Sequence, residues 1–161
     1  MKICDTVNSK LYKNDRAILH SDCNCFYASV ECLLNPNIRD LPVAVSGDAE
    51  NRHGIILAKN EEAKKYNIKT GEAIWQAKKK CPQLLTVPAR LDVYKKFSDK
   101  VRRIYSDYTD MVEPFGLDEA WLDISEDYKN DALTIAEEIS QRIKDEIGIT
   151  VSIGVSFNKI F

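Results

Sequence analysis

Histidine, paired cysteines and long apolar runs are scarce in this sequence, and each absence excludes a class of protein. Only two histidines are present and none of the five cysteines forms a CxxC pair, so we expect no zinc site. The odd number of cysteines favours reduced thiols that pack as small apolar residues. No apolar run approaches the roughly 18 residues of a membrane-spanning helix, and the polar residues 1–14 do not resemble a signal peptide. We therefore expect a soluble, cytoplasmic protein with no membrane contact.

Charge is segregated along the chain although the formal net charge is only −2. Residues 52–103 contain 14 basic and 5 acidic side chains, a net of +9, whereas residues 107–146 contain 3 basic and 13 acidic ones, a net of −10. A basic segment suits a phosphate backbone, and an acidic segment suits cations. The alternative is two solvated surfaces that merely differ in charge.

Hydrophobic periodicity predicts an α+β chain in which 44% of the residues are apolar, enough for a core. Strands are predicted at 17–22, 41–46, 54–58, 84–87, 111–115, 120–124 and 150–157, and helices at 25–34, 60–66, 72–80, 91–108 and 131–147. Asn24 and Thr70 are the predicted N-caps of the first and third helices. We expect one sheet from the early strand and the late strands, backed by helices, with the basic middle as an inserted subdomain. The strands at 41–46 and 54–58 are expected to pair as a hairpin with a long loop.

Two adjacent acids, Asp118 and Glu119, fall between two of these predicted strands, after Gly116, which suits a tight turn. Neighbouring carboxylates repel, so a fold that places both in one turn usually binds a cation there, and hard oxygen ligands favour Mg²⁺ or Mn²⁺ over zinc. Asp22 ends the first predicted strand. Three carboxylates at strand ends are the ligand set of a two-metal phosphoryl-transfer site.

Other polar residues have simpler interpretations. Asp123, Glu113 and Glu31 are expected to be structural or solvated, and His20 to be a hydrogen-bonded core residue. The run 78–80 of three lysines is interpreted as a solvated helix end.

Five short segments stand out by their order and spacing: 21–31 (SDCNCFYASVE), 41–45 (LPVAV), 63–71 (AKKYNIKTG), 117–123 (LDEAWLD) and 152–159 (SIGVSFNK). Together they resemble the motifs of the Y-family DNA polymerases, the translesion enzymes of the DNA polymerase IV type. In that order they resemble the first motif, two parts of the fingers, the second acidic motif, and the strand and loop before the last palm helix. A single Asp-Glu pair would be weak, but the series is highly specific.

The resemblance implies a ferredoxin-like polymerase palm, residues 1–25 and 90–161, with an inserted small fingers subdomain, residues 26–89. The thumb and the C-terminal DNA-gripping domain are absent, so we expect an N-terminal fragment, monomeric, with weak or no activity alone. The implied partners are primer–template DNA and a dNTP, with a sliding clamp as an open alternative through the absent C-terminal region.

The resemblance also assigns a role to each site residue. Asp22 and Asp118 would bridge two Mg²⁺ ions, for which Mn²⁺ can substitute. Glu119 would help to hold the ion that activates the primer 3′-hydroxyl, and Cys23 would give its backbone carbonyl to the nucleotide-bound ion.

Nucleotide binding is expected to involve the helix that begins near Asn24 and Cys25, whose N-terminal amides would face the triphosphate. Tyr27 would be the steric gate that clashes with a ribose 2′-hydroxyl. Phe26 precedes it, either beside the nucleotide or simply in the core.

The fingers depart from the family pattern at two positions. Glu61 and Lys64 stand where the family usually has a tyrosine and an arginine that grip the triphosphate. A lysine is a point charge and cannot form the bidentate fork of an arginine. We expect Glu61 to point elsewhere and Lys59 to supply the missing contact.

Two other functions remain open from the residues alone. A nucleotide cyclase shares the palm and two metals, but a Gly-Gly-acidic turn is missing here. A catalytically silent palm module that binds nucleic acid or a partner protein is disfavoured by the retention of all three acids.

Overall fold

The computed structural model describes residues 16–47, 54–128 and 131–159. The chain divides into two compact units, the first of Met1–Asn24 with Lys95–Phe161 and the second of Cys25–Tyr94. Within the described ranges, none of the helices is both long and apolar enough to cross a membrane.

The helices and strands largely follow the predicted order, with shifts of a few residues at their ends. In chain order they are β1 (Ile18–Cys23), α1 (Phe26–Leu34), β2 (Val43–Ser46), β3 (Ile56–Lys59), α2 (Glu61–Lys64), α3 (Ile74–Lys80), β4 (Leu85–Pro88), α4 (Leu91–Ser106), β5 (Val112–Phe115), β6 (Glu119–Asp123), α5 (Ser125–Tyr128), α6 (Ala132–Glu146) and β7 (Val151–Ser156). A short 3₁₀ turn, Pro36–Ile38, follows α1.

The first unit is built on a four-stranded sheet of order β5-β6-β1-β7 in which every pairing is antiparallel. Its elements β1, α4, β5, β6, α6 and β7 follow one another as β-α-β-β-α-β. This succession with this strand order is the ferredoxin-like arrangement, so the predicted α+β fold class is confirmed.

The two faces of this sheet differ because side chains alternate along each strand. On one face Leu19 and Leu122 are fully buried, and the Tyr105 hydroxyl of α4 donates a hydrogen bond to Ser21 Oγ at 2.8 Å. The fully buried Ile139 and Ile143 of α6 add to the core of this unit. The opposite face, here called the open face, carries His20, Asp22, Glu119 and Trp121.

The second unit has a three-stranded sheet of order β3-β2-β4. The antiparallel pairing of β2 with β3 confirms the predicted strand pair, and β4 joins β2 in parallel. The α2 and α3 helices cover a small apolar core that consists of Ala44, Ile56, Ala63, Ile68, Ala77, Cys81 and Leu84.

Both predicted N-caps are wrong. The N-cap of α1 is Cys25, in the left-handed conformation with φ 50° and without a side-chain cap, because Asn24 bonds to residues near β7 instead. The α3 helix begins only at Ile74, with Ala73 as its N-cap, and Thr70 accepts a hydrogen bond from Lys59 Nζ at 3.2 Å.

Candidate active site

The three predicted catalytic acids lie at the same end of the first unit's sheet. Asp22 of β1 is directly opposite Glu119 of β6 in the antiparallel register. The backbone N–H of Cys23 donates to the carbonyl oxygen of Asp118 at 2.9 Å. One strand pairing therefore brings together residues that are about a hundred positions apart in the sequence.

The turn that carries Asp118 depends on a glycine conformation and on a hydrogen bond to a backbone carbonyl. Gly116 has φ +74°, a conformation that suits glycine, and a Cβ atom there would lie 3.4 Å from Asp118 Oδ1. Arg102 of α4 donates from Nη2 to the Gly116 carbonyl oxygen at 2.6 Å. No local signal in the sequence marks Arg102, because only the tertiary fold brings α4 to this turn.

The electrostatics of the acidic end favour a bound cation. Partial burial, with the negative charge of Glu119 as a further cause, raises the pKa of Asp118 above its ordinary value. Burial, together with the charges of Asp118 and Asp22, raises the pKa of the Cys23 thiol to about 12. The thiol therefore stays neutral, and only the backbone of Cys23 can offer a hard oxygen ligand.

Asp118→Asn is expected to stabilise the fold at pH 7, because it removes a partly buried negative charge. The raised pKa means that the folded state binds the Asp118 proton more tightly than the unfolded state, so the charged form costs stability at neutral pH. The melting temperature should rise by about 1–3 °C at pH 7, and the gain should shrink as the pH falls through the raised pKa of Asp118, because the wild-type carboxyl then becomes protonated. Circular-dichroism melts of the two proteins test this. An equal gain from Asp99→Asn, an exposed acid of α4, would contradict it.

His20 and Trp121 flank the acids on the open face. His20 Nε2 lies 3.3 Å from Glu119 Oε2, and the His20 and Trp121 rings stack with their centroids 4.0 Å apart. The expectation of a core histidine is therefore wrong, because His20 is about one third exposed. His20 and Asp22 are two residues apart on one strand, and this spacing predicts that both side chains lie on the same face of the sheet.

Asn24 follows β1 and is bound to the β7 side of the sheet. Its Nδ2 donates to Thr150 Oγ1 at 3.1 Å, and its Oδ1 accepts from Ser152 Oγ at 2.7 Å. The backbone N–H of Asn24 also donates to the Thr150 carbonyl at 2.9 Å. Asn24 therefore fixes the chain immediately after the acid of β1.

The donor set of this end fits a hard divalent cation. Asp22, Asp118 and Glu119 offer carboxylate oxygens and Cys23 offers a carbonyl, which are the ligands that Mg²⁺ prefers. Across residues 16–47, 54–128 and 131–159, no three His, Cys, Asp or Glu side chains already form a compact metal-holding cluster. The three carboxylates lie at one end of the sheet but do not converge on a single point.

Tyr27, in the second unit, stacks on an aromatic side chain that a hydrogen bond holds in place. Its ring stacks on Tyr94 with a centroid distance of 4.3 Å and an interplanar angle of 13°. Tyr94 is fully buried, and its hydroxyl donates to Glu31 Oε1 at 2.7 Å. Arg90 donates to both Glu31 oxygens, at 3.0 and 2.5 Å. Phe26 is only 3% exposed, in agreement with the core-packing alternative.

Glu61 and Lys64, the two residues that differ from the family pattern, pair with each other. Lys64 Nζ lies 2.6 Å from Glu61 Oε1, and the Cys25 thiol donates to the same oxygen at 3.3 Å. The bond from Lys64 is the largest cause that holds the pKa of Glu61 below its usual value. Lys59, predicted to contact a triphosphate, is partly exposed and bonded to Thr70 Oγ1.

Comparisons with known proteins decide the family. The impB/mucB/samB (IMS) family model matches residues 21–161. The chain belongs to this family. A DNA polymerase IV from Acetivibrio thermocellus is 60% identical over 148 residues, which cover 91% of this chain and 37% of the relative.

Solved structures support the same assignment. DinB from Sulfolobus solfataricus has a TM-score of 0.84 and 31% identity, over 89% of this chain and 43% of that protein. A Y-family DNA polymerase chimera of Dbh and Dpo4 has a TM-score of 0.85 and 30% identity, over 89% and 43%. The resemblance to the Y-family polymerases is thus confirmed. The chain spans about two fifths of the length of the relatives it matches.

Proposed function

We propose that this chain carries the catalytic acids of a template-directed translesion DNA polymerase, which adds a dNTP to a primer 3′-hydroxyl on primer–template DNA. The observation that carries the proposal is the register of Asp22 opposite Glu119, with Asp118 bonded through its carbonyl to Cys23. Adjacent carboxylates at one end of a ferredoxin-like sheet, in a Y-family chain, suit nucleotidyl transfer. On this proposal the first unit is the palm and the second is the fingers.

Two Mg²⁺ ions, which Mn²⁺ can replace, are the proposed cofactors. Asp22 and Asp118 would hold both ions, Glu119 would hold the one nearer the primer, and the Cys23 carbonyl would hold the one nearer the nucleotide. When bound, such ions stabilise the attacking and leaving oxygens of an in-line phosphoryl transfer. Support comes from the oxygen-only donor set and from the raised pKa of Asp118, which marks a site where negative charge is already costly.

The start of α1 is the proposed nucleotide-binding segment. Its first turn, from Cys25 to Tyr27, has no acidic residue and its N-cap makes no side-chain cap hydrogen bond, which favours a phosphate. Asn24 would position this segment through its bonds to Thr150 and Ser152. Phe26 would support it from the core, and Tyr27 would exclude a ribose 2′-hydroxyl.

Lys59 and Lys64 are the proposed triphosphate contacts of the fingers. Lys64 is now paired with Glu61, so a triphosphate would have to exchange with that carboxylate. Both partners are exposed, with 45% and 72% of their side-chain surfaces accessible. Such an exposed pair is weak, so the exchange costs little.

Fluorescence of Trp121 tests the proposal. In a Trp75→Phe background, Trp121 is the sole tryptophan, two residues from Glu119. Mn²⁺ should quench it saturably, and a dNTP should tighten Mn²⁺ binding by about tenfold or more, because phosphate oxygens complete the ligand set. Asp118→Ala should abolish the specific quenching, and Asp99→Asn, an exposed acid of the same unit, should leave it intact. Nucleotide-independent quenching that survives Asp118→Ala would contradict the proposal.

The two alternative functions give different results in the same assay. A silent palm module would show no nucleotide-dependent quenching. A nucleotide cyclase would accept a ribonucleotide at least as well as a deoxyribonucleotide.

A further inference from the structure

One surface of the second unit combines an exposed aromatic ring with unpaired positive charge. Trp75, Lys78 and Lys79 of α3 are spaced i, i+3 and i+4, which places them on one side of the helix. The other side of α3 packs into the core through Ala77, next to Ile74. We call the outward set of Trp75, Lys78 and Lys79 the α3 surface.

The indole of Trp75 lies on the protein surface instead of filling a core position. It is 57% exposed, whereas the core positions of α3 are buried or partly buried. Lys79 Nζ lies 4.8 Å from the centroid of the Trp75 ring, within cation–π distance. A large flat apolar side chain is therefore held in water beside a positive charge.

The three consecutive lysines differ in their partners. Lys80 is bonded to Glu72 at 2.5 Å and to the Asn67 carbonyl at 2.9 Å. Among the described residues, neither Lys78 nor Lys79 forms an ion pair with a carboxylate. The interpretation of the run as a solvated helix end is thus confirmed for Lys78 and Lys79 and wrong for Lys80, which is paired.

We propose that the α3 surface binds single-stranded DNA, with a base stacked on the Trp75 indole and phosphates beside Lys78 and Lys79. Stacking platforms flanked by cations are the recurrent means of binding single strands without sequence preference. The inference rests on the proposed function, because a template-directed polymerase must hold an unpaired template strand. An acidic peptide would satisfy the lysines but would leave the flat ring without a stacking partner.

Binding of a fluorescein-labelled 12-nucleotide oligodeoxythymidylate to the whole 161-residue chain, followed by anisotropy at low salt, tests the proposal. Trp75→Leu should weaken binding about fivefold or more, whereas Trp75→Phe, which keeps a stacking ring, should stay within about twofold. Lys79→Gln should weaken binding and reduce the slope of log K against log salt by about 0.7. Lys144→Gln, an exposed lysine at the end of α6, is the charge-matched control and should change neither.

This experiment does not depend on the proposed metal site. Binding is measured in a chelator, which removes divalent ions from the acidic end, so a failure of the polymerase proposal would not alter the result. In a Trp121→Phe background, saturation with the oligonucleotide should also quench Trp75. The proposal is overturned by undetectable binding, by equal affinities of Trp75→Leu and wild type, or by equal competition from polyglutamate at matched charge.

Discussion

Replacing Arg90 with methionine is expected to lower the free energy of unfolding by about 2–4 kcal/mol, a large part of the stability of a chain this size. Glu31 is 6% exposed, and Arg90 supplies two of the three hydrogen bonds that its carboxylate receives. Without Arg90, a negative charge stays buried with only the Tyr94 hydroxyl as its partner. The figure is below that of a fully buried pair because 46% of the Arg90 side chain is exposed to water.

Urea denaturation followed by circular dichroism measures this loss. Arg103→Met removes an exposed arginine from α4 and should cost less than about 0.5 kcal/mol. Adding Glu31→Gln to Arg90→Met should recover part of the loss, because the buried group is then neutral. The interpretation of the Glu31–Arg90 pair would be wrong if Arg90→Met were no more destabilising than Arg103→Met.

Tyr27→Ala is expected to remove the preference for deoxyribonucleotides over ribonucleotides. The Tyr27 ring cannot turn aside easily, because it stacks on the buried Tyr94, which Glu31 holds by its hydroxyl. An aromatic wall can reject an added hydroxyl by up to about 100-fold, so we expect wild type to favour the dNTP by about 10- to 100-fold. Removal of the ring should bring the ratio close to one.

The comparison uses Mn²⁺-dependent binding of dATP and ATP, read from Trp121 in the Trp75→Phe background. Tyr27→Phe keeps the ring and is expected to keep the discrimination, which separates the steric effect from loss of the phenol hydroxyl. Equal affinities of the wild-type protein for dATP and ATP would rule out Tyr27 as the gate. They would also favour the nucleotide-cyclase alternative.

Local chemistry in the sequence was enough to find the acidic end of the first unit. Asp118 and Glu119 follow a turn glycine, and Asp22 stands at the end of an apolar run, so each could be placed on its element from neighbouring residues alone. The antiparallel pairing of β2 and β3 was foreseen for the same reason. These features depend on residues that lie close together in the sequence.

The predictions that failed were those in which a distant residue competes for a polar group. Asn24 has the side chain of an N-cap, but Thr150 and Ser152 bind it first. His20 was expected in the core, yet the helices cover the other face of its strand, which leaves it beside Glu119. Propensity describes what a side chain can do locally, and tertiary contacts decide which option is taken.

By itself, the sequence determined the family, the α+β class and the places of the three acids at strand ends, because these depend on short motifs and on local periodicity. Only the tertiary structure decided that Arg102 holds the Gly116 carbonyl and that Tyr94 lies under Tyr27. The fold alone also distinguished Lys80, which is paired with Glu72, from Lys78 and Lys79 on the side of Trp75. Hydrogen bonds and ion pairs act over a few ångströms, and the distances between residues far apart in the sequence are set only when the chain packs.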